Sequence, residues 1–118
     1  NKLIINAVIN PVTSLFGVKN KEIVKNSYIT RIAKTLCRET ASVLQMEYDQ
    51  AWERVQNVAV ATGENTSSML KDIQESRKTE IEGITGYILQ NKKTDELPYS
   101  TFIYQSIKAI EEMKGIKK

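Results

Sequence analysis

One helical period runs through almost the whole chain, and it restricts the fold more than any other feature. From Tyr28 to Met46, the residues Ile29, Ile32, Ala33, Leu36, Cys37 and Leu44 keep to one face, the stripe of an amphipathic helix packed on one side. Trp52, Val55 and Ala59 continue the pattern in a following segment that ends near Gly63. Ser67 or Ser68 is placed to cap a short helix through MLKDIQES, with Asp72 in a dipole-favourable early turn. Thr79-Glu80-Ile81-Glu82 reads as a capping box, Thr79 at the N-cap and Glu82 three residues on, opening a helix that carries Ile81, Ile84 and Ile88. Gly83 and Gly86 fall inside that helix at about 1 kcal/mol each relative to Ala, which implies a close approach by another backbone or a ligand. Pro98 starts a last helix with the stripe Phe102, Ile103, Ile107, Ile110 and Met113, ended by Gly115. Alternating strands, internal repeats and low-complexity tracts are missing from the pattern. The fold class is therefore all-α, a multi-helix bundle.

At 118 residues the chain makes one domain, long enough to bury roughly two-thirds of its unfolded surface without a disulfide or a metal. Its 17 basic and 14 acidic side chains leave a net charge of only +3. The basic pairs Lys92-Lys93 and Lys117-Lys118 read as solvated surface, and nothing clusters Lys and Arg on one face, so a nucleic-acid partner is not expected. Cys37 is the sole cysteine and histidine is absent, which argues against a disulfide, a metal site and a thiol nucleophile alike. Cys37 instead sits on the apolar stripe as a buried thiol. No apolar run approaches about 18 residues, and no signal peptide precedes the domain, so the expectation is no membrane and a cytoplasmic location. The chain begins at Asn1 already inside a helical pattern, with no initiator Met, which suggests a piece of something longer.

The opening KLIINAVINPV poses the chemical question. In an α-helix a four-residue step returns 40° past its start, so Lys2, Asn6 and Asn10 form a slowly turning polar stripe on a segment otherwise aliphatic. A lysine there must find partners, lose its charge or open onto a water-filled cleft. A partly desolvated ammonium beside other dipoles is also suited to act as a general acid. A structural account competes: Lys2 snorkels from a frayed terminus, while Asn10-Pro11 caps a new short helix, PVTSLF, closed by Gly17. Spacing alone leaves both open. By the same default reasoning Asn65-Thr66-Ser67-Ser68 is a turn and cap, and Glu80 interacts with a helix dipole.

Three elements together carry a resemblance: K-x-x-x-N-x-x-x-N-P at the start, SSMLKD in the middle and TEI further on. In that order, over essentially all 118 residues, the chain resembles the C-terminal domain of the ketopantoate reductases. The resemblance implies a fold like the C-terminal domain of 6-phosphogluconate dehydrogenase. It also implies an N-terminal Rossmann domain holding NADPH, an active site in the cleft between the two, reduction of ketopantoate for pantothenate synthesis, and a possible homodimer. Residues 1–118 would then be a single substrate-binding and catalytic domain.

Position by position, Lys2 matches the family's catalytic lysine, similar to a general acid that protonates the ketone oxygen as hydride reaches carbon. Asn6 and Asn10 match substrate-binding asparagines, and Asn20 falls where another is found, although Lys21 replaces the usual glycine beside it. Ser68 matches the serine that binds the substrate carboxylate, and Glu80 the glutamate associated with cofactor and lysine. Gly83, Thr85 and Ser100 depart from the family's common aromatic, asparagine and asparagine. Two other functions fit the same residues: a reductase of a different 2-oxo acid, and a helical interaction or dimerisation module that keeps the fold without the chemistry. The chain contains no glycine-rich phosphate loop, so alone it is expected to be inactive.

Overall fold

A computed structural model describes residues 1–116, and the Lys117-Lys118 pair lies outside them. Within the described residues the structure is helical and contains no strand. Helix α1 is Lys2–Phe16, α2 Glu22–Lys25, α3 Ser27–Leu44, α4 Tyr48–Ala61 and α5 Ser68–Gln74. A π-helical turn, Glu82–Gly86, then runs directly into α6, Tyr87–Gln90, and α7 is Pro98–Met113.

The first helix organises the rest. One core gathers Ile4, Val8, Ile9 and Val12 of α1 with Leu36, Cys37 and Ala41 of α3 and Ala51, Val55 and Ala59 of α4. A second joins Ala7 of α1 to Met69 and Ile73 of α5, Ile81 just before the π-turn and Ile84 within it, and Ile107 of α7. Helix α1 thus lies between two apolar clusters, and its remaining exposure falls on the Lys2–Asn6 side.

The chain does not restart at Pro11. Asn10 is not a cap; α1 passes through the proline and stops only at Gly17, whose φ of +66° is the left-handed form glycine adopts cheaply. Proline forfeits one helical N–H, at about 3 kcal/mol in a helix interior. Here the burial of Pro11 itself, with Val8, Ile9, Val12 and Thr13 around it, outweighs that local loss. One unbroken helix keeps Lys2, Asn6 and Asn10 in a single register.

Other boundaries follow from side-chain caps. Asn26 accepts from the Tyr28 and Ile29 amides and fixes the start of α3, while Ser67 rather than Ser68 caps α5. Asp72 is not in the first turn of α5; it accepts from Arg77. At α7 the N-cap Leu97 offers no acceptor, and Glu39 of α3 supplies one from across the fold. Its carboxylate accepts from the Tyr99 amide (3.0 Å) and from the Ser100 amide and hydroxyl (both 2.8 Å). Glu39→Ala should therefore lower stability by about 1–2 kcal/mol, the usual value of a lost cap, read as a drop in the urea midpoint.

Cys37 is buried as expected. Burial, opposed by the neighbouring Arg38, pushes its thiol up to about 11. Two units above an ordinary thiol leave about 100-fold less thiolate at neutral pH. Alkylation of the folded chain should be slower than that of the denatured chain by at least this factor.

Candidate active site

Two segments that pack on α1, forming two arms, are built alike. On one arm Thr13, a turn beyond Asn10, is wholly buried. Its hydroxyl donates to the Ile9 carbonyl (2.7 Å), lies 3.2 Å from that of Asn10, and shares a 2.8 Å hydrogen bond with Ser67 Oγ. Ser67 Oγ in turn accepts from the Leu70 amide, opening α5. The next residue, Ser68, is exposed. The bond ties the residue before Ser68 to α1, one turn beyond Asn10.

On the other arm Thr79 is buried, and both its amide (2.9 Å) and its hydroxyl (2.7 Å) donate to Glu111 Oε2 of α7. Thr79 Oγ1 also accepts from the Ile81 amide. Glu80, the next residue, is exposed, and Ile81 is buried in the cluster that holds Ala7 of α1. Glu80 thus stands on a segment whose next residue is packed against α1.

Glu82 does not close the anticipated capping box. Its carboxylate takes the Lys108 ammonium (2.9 Å) and the Tyr104 hydroxyl (2.9 and 2.8 Å). Hydrogen bonds from Lys108 and then Tyr104 hold Glu82 below the usual carboxylate range, and the same bonds to Glu82 raise both Lys108 and Tyr104. Lys108 also reaches Glu111 Oε1 at 3.6 Å, so α7 grips both ends of the segment that carries Glu80. The extra residue of the π-turn is accommodated beside Tyr104. A Cβ on Gly86 would meet Glu82 Oε1 at 3.1 Å and Tyr104 Cε1 at 3.5 Å, which accounts for that glycine. Gly83 has nothing within 4 Å, so no close approach within the chain explains it. Turns of π-helix recur at functional sites.

Lys2, Asn6, Ser68 and Glu80 are exposed and Asn10 is half-buried. Among the described residues their side chains meet no hydrogen-bond or ion-pair partner. Asn20 stands apart. It is 7% exposed, its amide donates to Thr62 Oγ1 (3.0 Å), its backbone N–H donates to the Asn65 carbonyl (3.1 Å), and its buried Oδ1 has no partner. These two bonds tie Asn20 to the loop that leads into Ser67. The described residues contain no cluster of three or more metal-ligating side chains, and no helix long and apolar enough to cross a membrane.

Sequence reasoning passed over Thr13, Glu111 and Lys108. For Glu111 a signal exists: it follows Ile103 and Ile107 at four-residue steps, a carboxylate in register with a buried stripe. For Thr13 and Ser67, 54 positions apart, local pattern carries no signal.

Residues 1–111 match the family model described as "Ketopantoate reductase PanE/ApbA C terminal". The chain is 42% identical over 113 residues to a 2-dehydropantoate 2-reductase of Bacillus subtilis, a match covering 93% of this chain and 38% of that relative. It is also similar to the crystal structure of the probable 2-dehydropantoate 2-reductase panE from Bacillus subtilis, with a TM-score of 0.90 and 41% identity over 92% of this chain and 38% of that one. A ternary structure of D-mandelate dehydrogenase with NADH and anilino(oxo)acetate has a TM-score of 0.86 at 25% identity, covering 98% of this chain and 40% of that one. The chain thus spans about 38% of the length of the curated relative it matches. A family model that fits from Asn1 to Glu111, over an all-helical fold of the same shape, leaves one assignment: this chain belongs to the ketopantoate reductase C-terminal family.

Proposed function

We propose that this chain is the substrate-side half of an NADPH-dependent 2-dehydropantoate 2-reductase, acting with an N-terminal nucleotide-binding domain. One observation carries the reading. Lys2, Asn6, Ser68 and Glu80 are exposed and unpartnered among the described residues, while Ser67 and Thr79, which directly precede Ser68 and Glu80, are buried and bonded. A folded domain that commits its hidden hydroxyls to fixing exposed polar heads is arranged to present those heads to something else.

Ketone reduction builds negative charge on oxygen. The Lys2 ammonium can stabilise that charge and then deliver a proton, an effect worth about 10²–10⁴-fold. Asn6 and Asn10 offer amide donors and carbonyl acceptors to a hydroxyl and a carbonyl, and the Ser68 hydroxyl offers a donor to a carboxylate, all without competing charge. Glu80, an unpaired carboxylate, fits as an acceptor for hydroxyl or amide groups of a bound dinucleotide. The nicotinamide, when bound, supplies the hydride. Lys2 lies open to water in the lone chain, so exclusion of water falls to the facing domain. Asn20 acts from below, by holding the loop before Ser67.

A second reading has one observation in its favour. Gly83 opens onto free space at a position where ketopantoate reductases commonly carry an aromatic, and a similar fold is that of a D-mandelate dehydrogenase. Room there would suit a 2-oxo acid larger than ketopantoate. Full-length protein assayed with NADPH or NADH against 2-dehydropantoate and a phenyl-substituted 2-oxo acid separates the two. The main reading expects the highest kcat/KM for 2-dehydropantoate with NADPH; a preference for the phenyl acid installs the second.

A further inference from the structure

We infer that Thr13 and Glu111 are positioning residues, each setting one arm of the site independently of the other. In both arms an exposed site residue follows directly on a buried hydroxyl residue, Ser67 before Ser68 and Thr79 before Glu80. In both, that hydroxyl accepts from a backbone amide two or three residues on and is also held by a side chain from a distant helix. Thr13 of α1 holds Ser67 across 54 positions, and Glu111 of α7 holds Thr79 across 32.

The Thr13–Ser67 bond is the only side-chain hydrogen bond between α1 and α5 among the described residues. Helix α5 has seven residues, too few to keep its place by its own helical stability, so its register against the Asn10 turn depends on that bond and on Met69 and Ile73 beneath. Glu111 is only 5% exposed, and its carboxylate is taken up by the Thr79 donors and by Lys108. Its charge makes those bonds the stronger kind. Loosening either latch shifts one exposed head relative to the stripe and leaves the other in place.

This inference rests on the reading that Ser68 meets the substrate and Glu80 the cofactor. Its test is therefore run in full-length protein beside Ser68→Ala and Glu80→Ala. Thr13→Val removes the hydroxyl and keeps the shape; it should raise KM for the 2-oxo acid about tenfold, the scale of one lost hydrogen bond, with KM for NADPH within about twofold. Thr13→Ser should restore the wild-type value. Glu111→Leu should do the converse, raising KM for NADPH about tenfold and sparing the 2-oxo acid, with Glu111→Gln recovering most of the loss because it keeps an acceptor for Thr79. If Ser68→Ala and Glu80→Ala leave both KM values unchanged, the functional reading itself fails. If those two behave as stated while Thr13→Val and Glu111→Leu shift neither KM, or both alike, only the positioning roles fail. Ser67→Ala breaks the first latch from its other side and must repeat the Thr13→Val signature. Should Thr13→Val and Ser67→Ala both lose native circular dichroism, the bond is a folding element and the inference is overturned.

Discussion

Lys2→Ala in the full-length protein should lower kcat by about 10²–10⁴-fold while KM for the 2-oxo acid changes far less. The size follows from the role. A general acid acts where charge develops, so its removal is felt in the transition state more than in the ground state. The geometry supports a clean reading of this variant. Lys2 is exposed and has no partner within the described residues, so truncation leaves no buried group unsatisfied and should move the melting temperature little. Steady-state kinetics with a thermal melt of the same sample checks both halves. Unchanged turnover would remove Lys2 from the chemistry, and a collapse in stability would return it to the structural role of a terminal lysine.

The second large effect is on folding. Ile4 is 0% exposed and lies in the larger core, on the face of α1 turned away from the polar stripe. Ile4→Ala should cost about 2–5 kcal/mol, from lost transfer free energy and the cavity left behind. Against a total of about 5–15 kcal/mol that is a large fraction. Urea unfolding should show the midpoint falling at unchanged slope, which separates lost stability from a changed denatured state. Because α1 carries both the core and the stripe, partial unfolding near the midpoint should also silence the active site. A loss below about 0.5 kcal/mol, the scale of an ordinary surface substitution, would mean that α1 is not the axis of the fold.

These two residues show how unevenly the molecule can be read from its sequence. The apolar faces were legible because helical period and burial are the same fact seen twice. Ile29, Ala33, Leu36 and Cys37 are all buried, as are Ile81, Ile84 and Ile88. The stripe of α1 was legible as spacing, but the sequence alone could not decide between one helix and two. Asn10-Pro11 is a sound local helix start, and only the burial of Pro11 and its neighbours in the assembled fold overrules it.

What stayed hidden was non-local. Glu82 sits where a capping-box acceptor belongs, yet Lys108 and Tyr104 of α7 outbid the helix's own amides for it. Met113 and Phe102, placed on the apolar stripe of α7, are mostly exposed, at 79% and 63%, because the period of a stripe does not say how far the neighbouring helices reach. Asn20, which the resemblance matches to a substrate-contacting asparagine, bonds to Thr62 and to the Asn65 carbonyl, contacts that no local pattern announces. Ser100 departs from the family's asparagine and nevertheless finds a use, its hydroxyl bound to Glu39.

The central claim is that this domain supplies the proton and the substrate clamps, and that hydride and cofactor binding come from elsewhere. It is tested most directly by NADPH oxidation with 2-dehydropantoate, measured side by side for the full-length protein and for residues 1–118 alone. The prediction is steady turnover by the full-length protein and none by the lone domain, which carries no glycine-rich phosphate loop. Turnover by the lone domain, or its absence in a folded full-length protein, would contradict the claim.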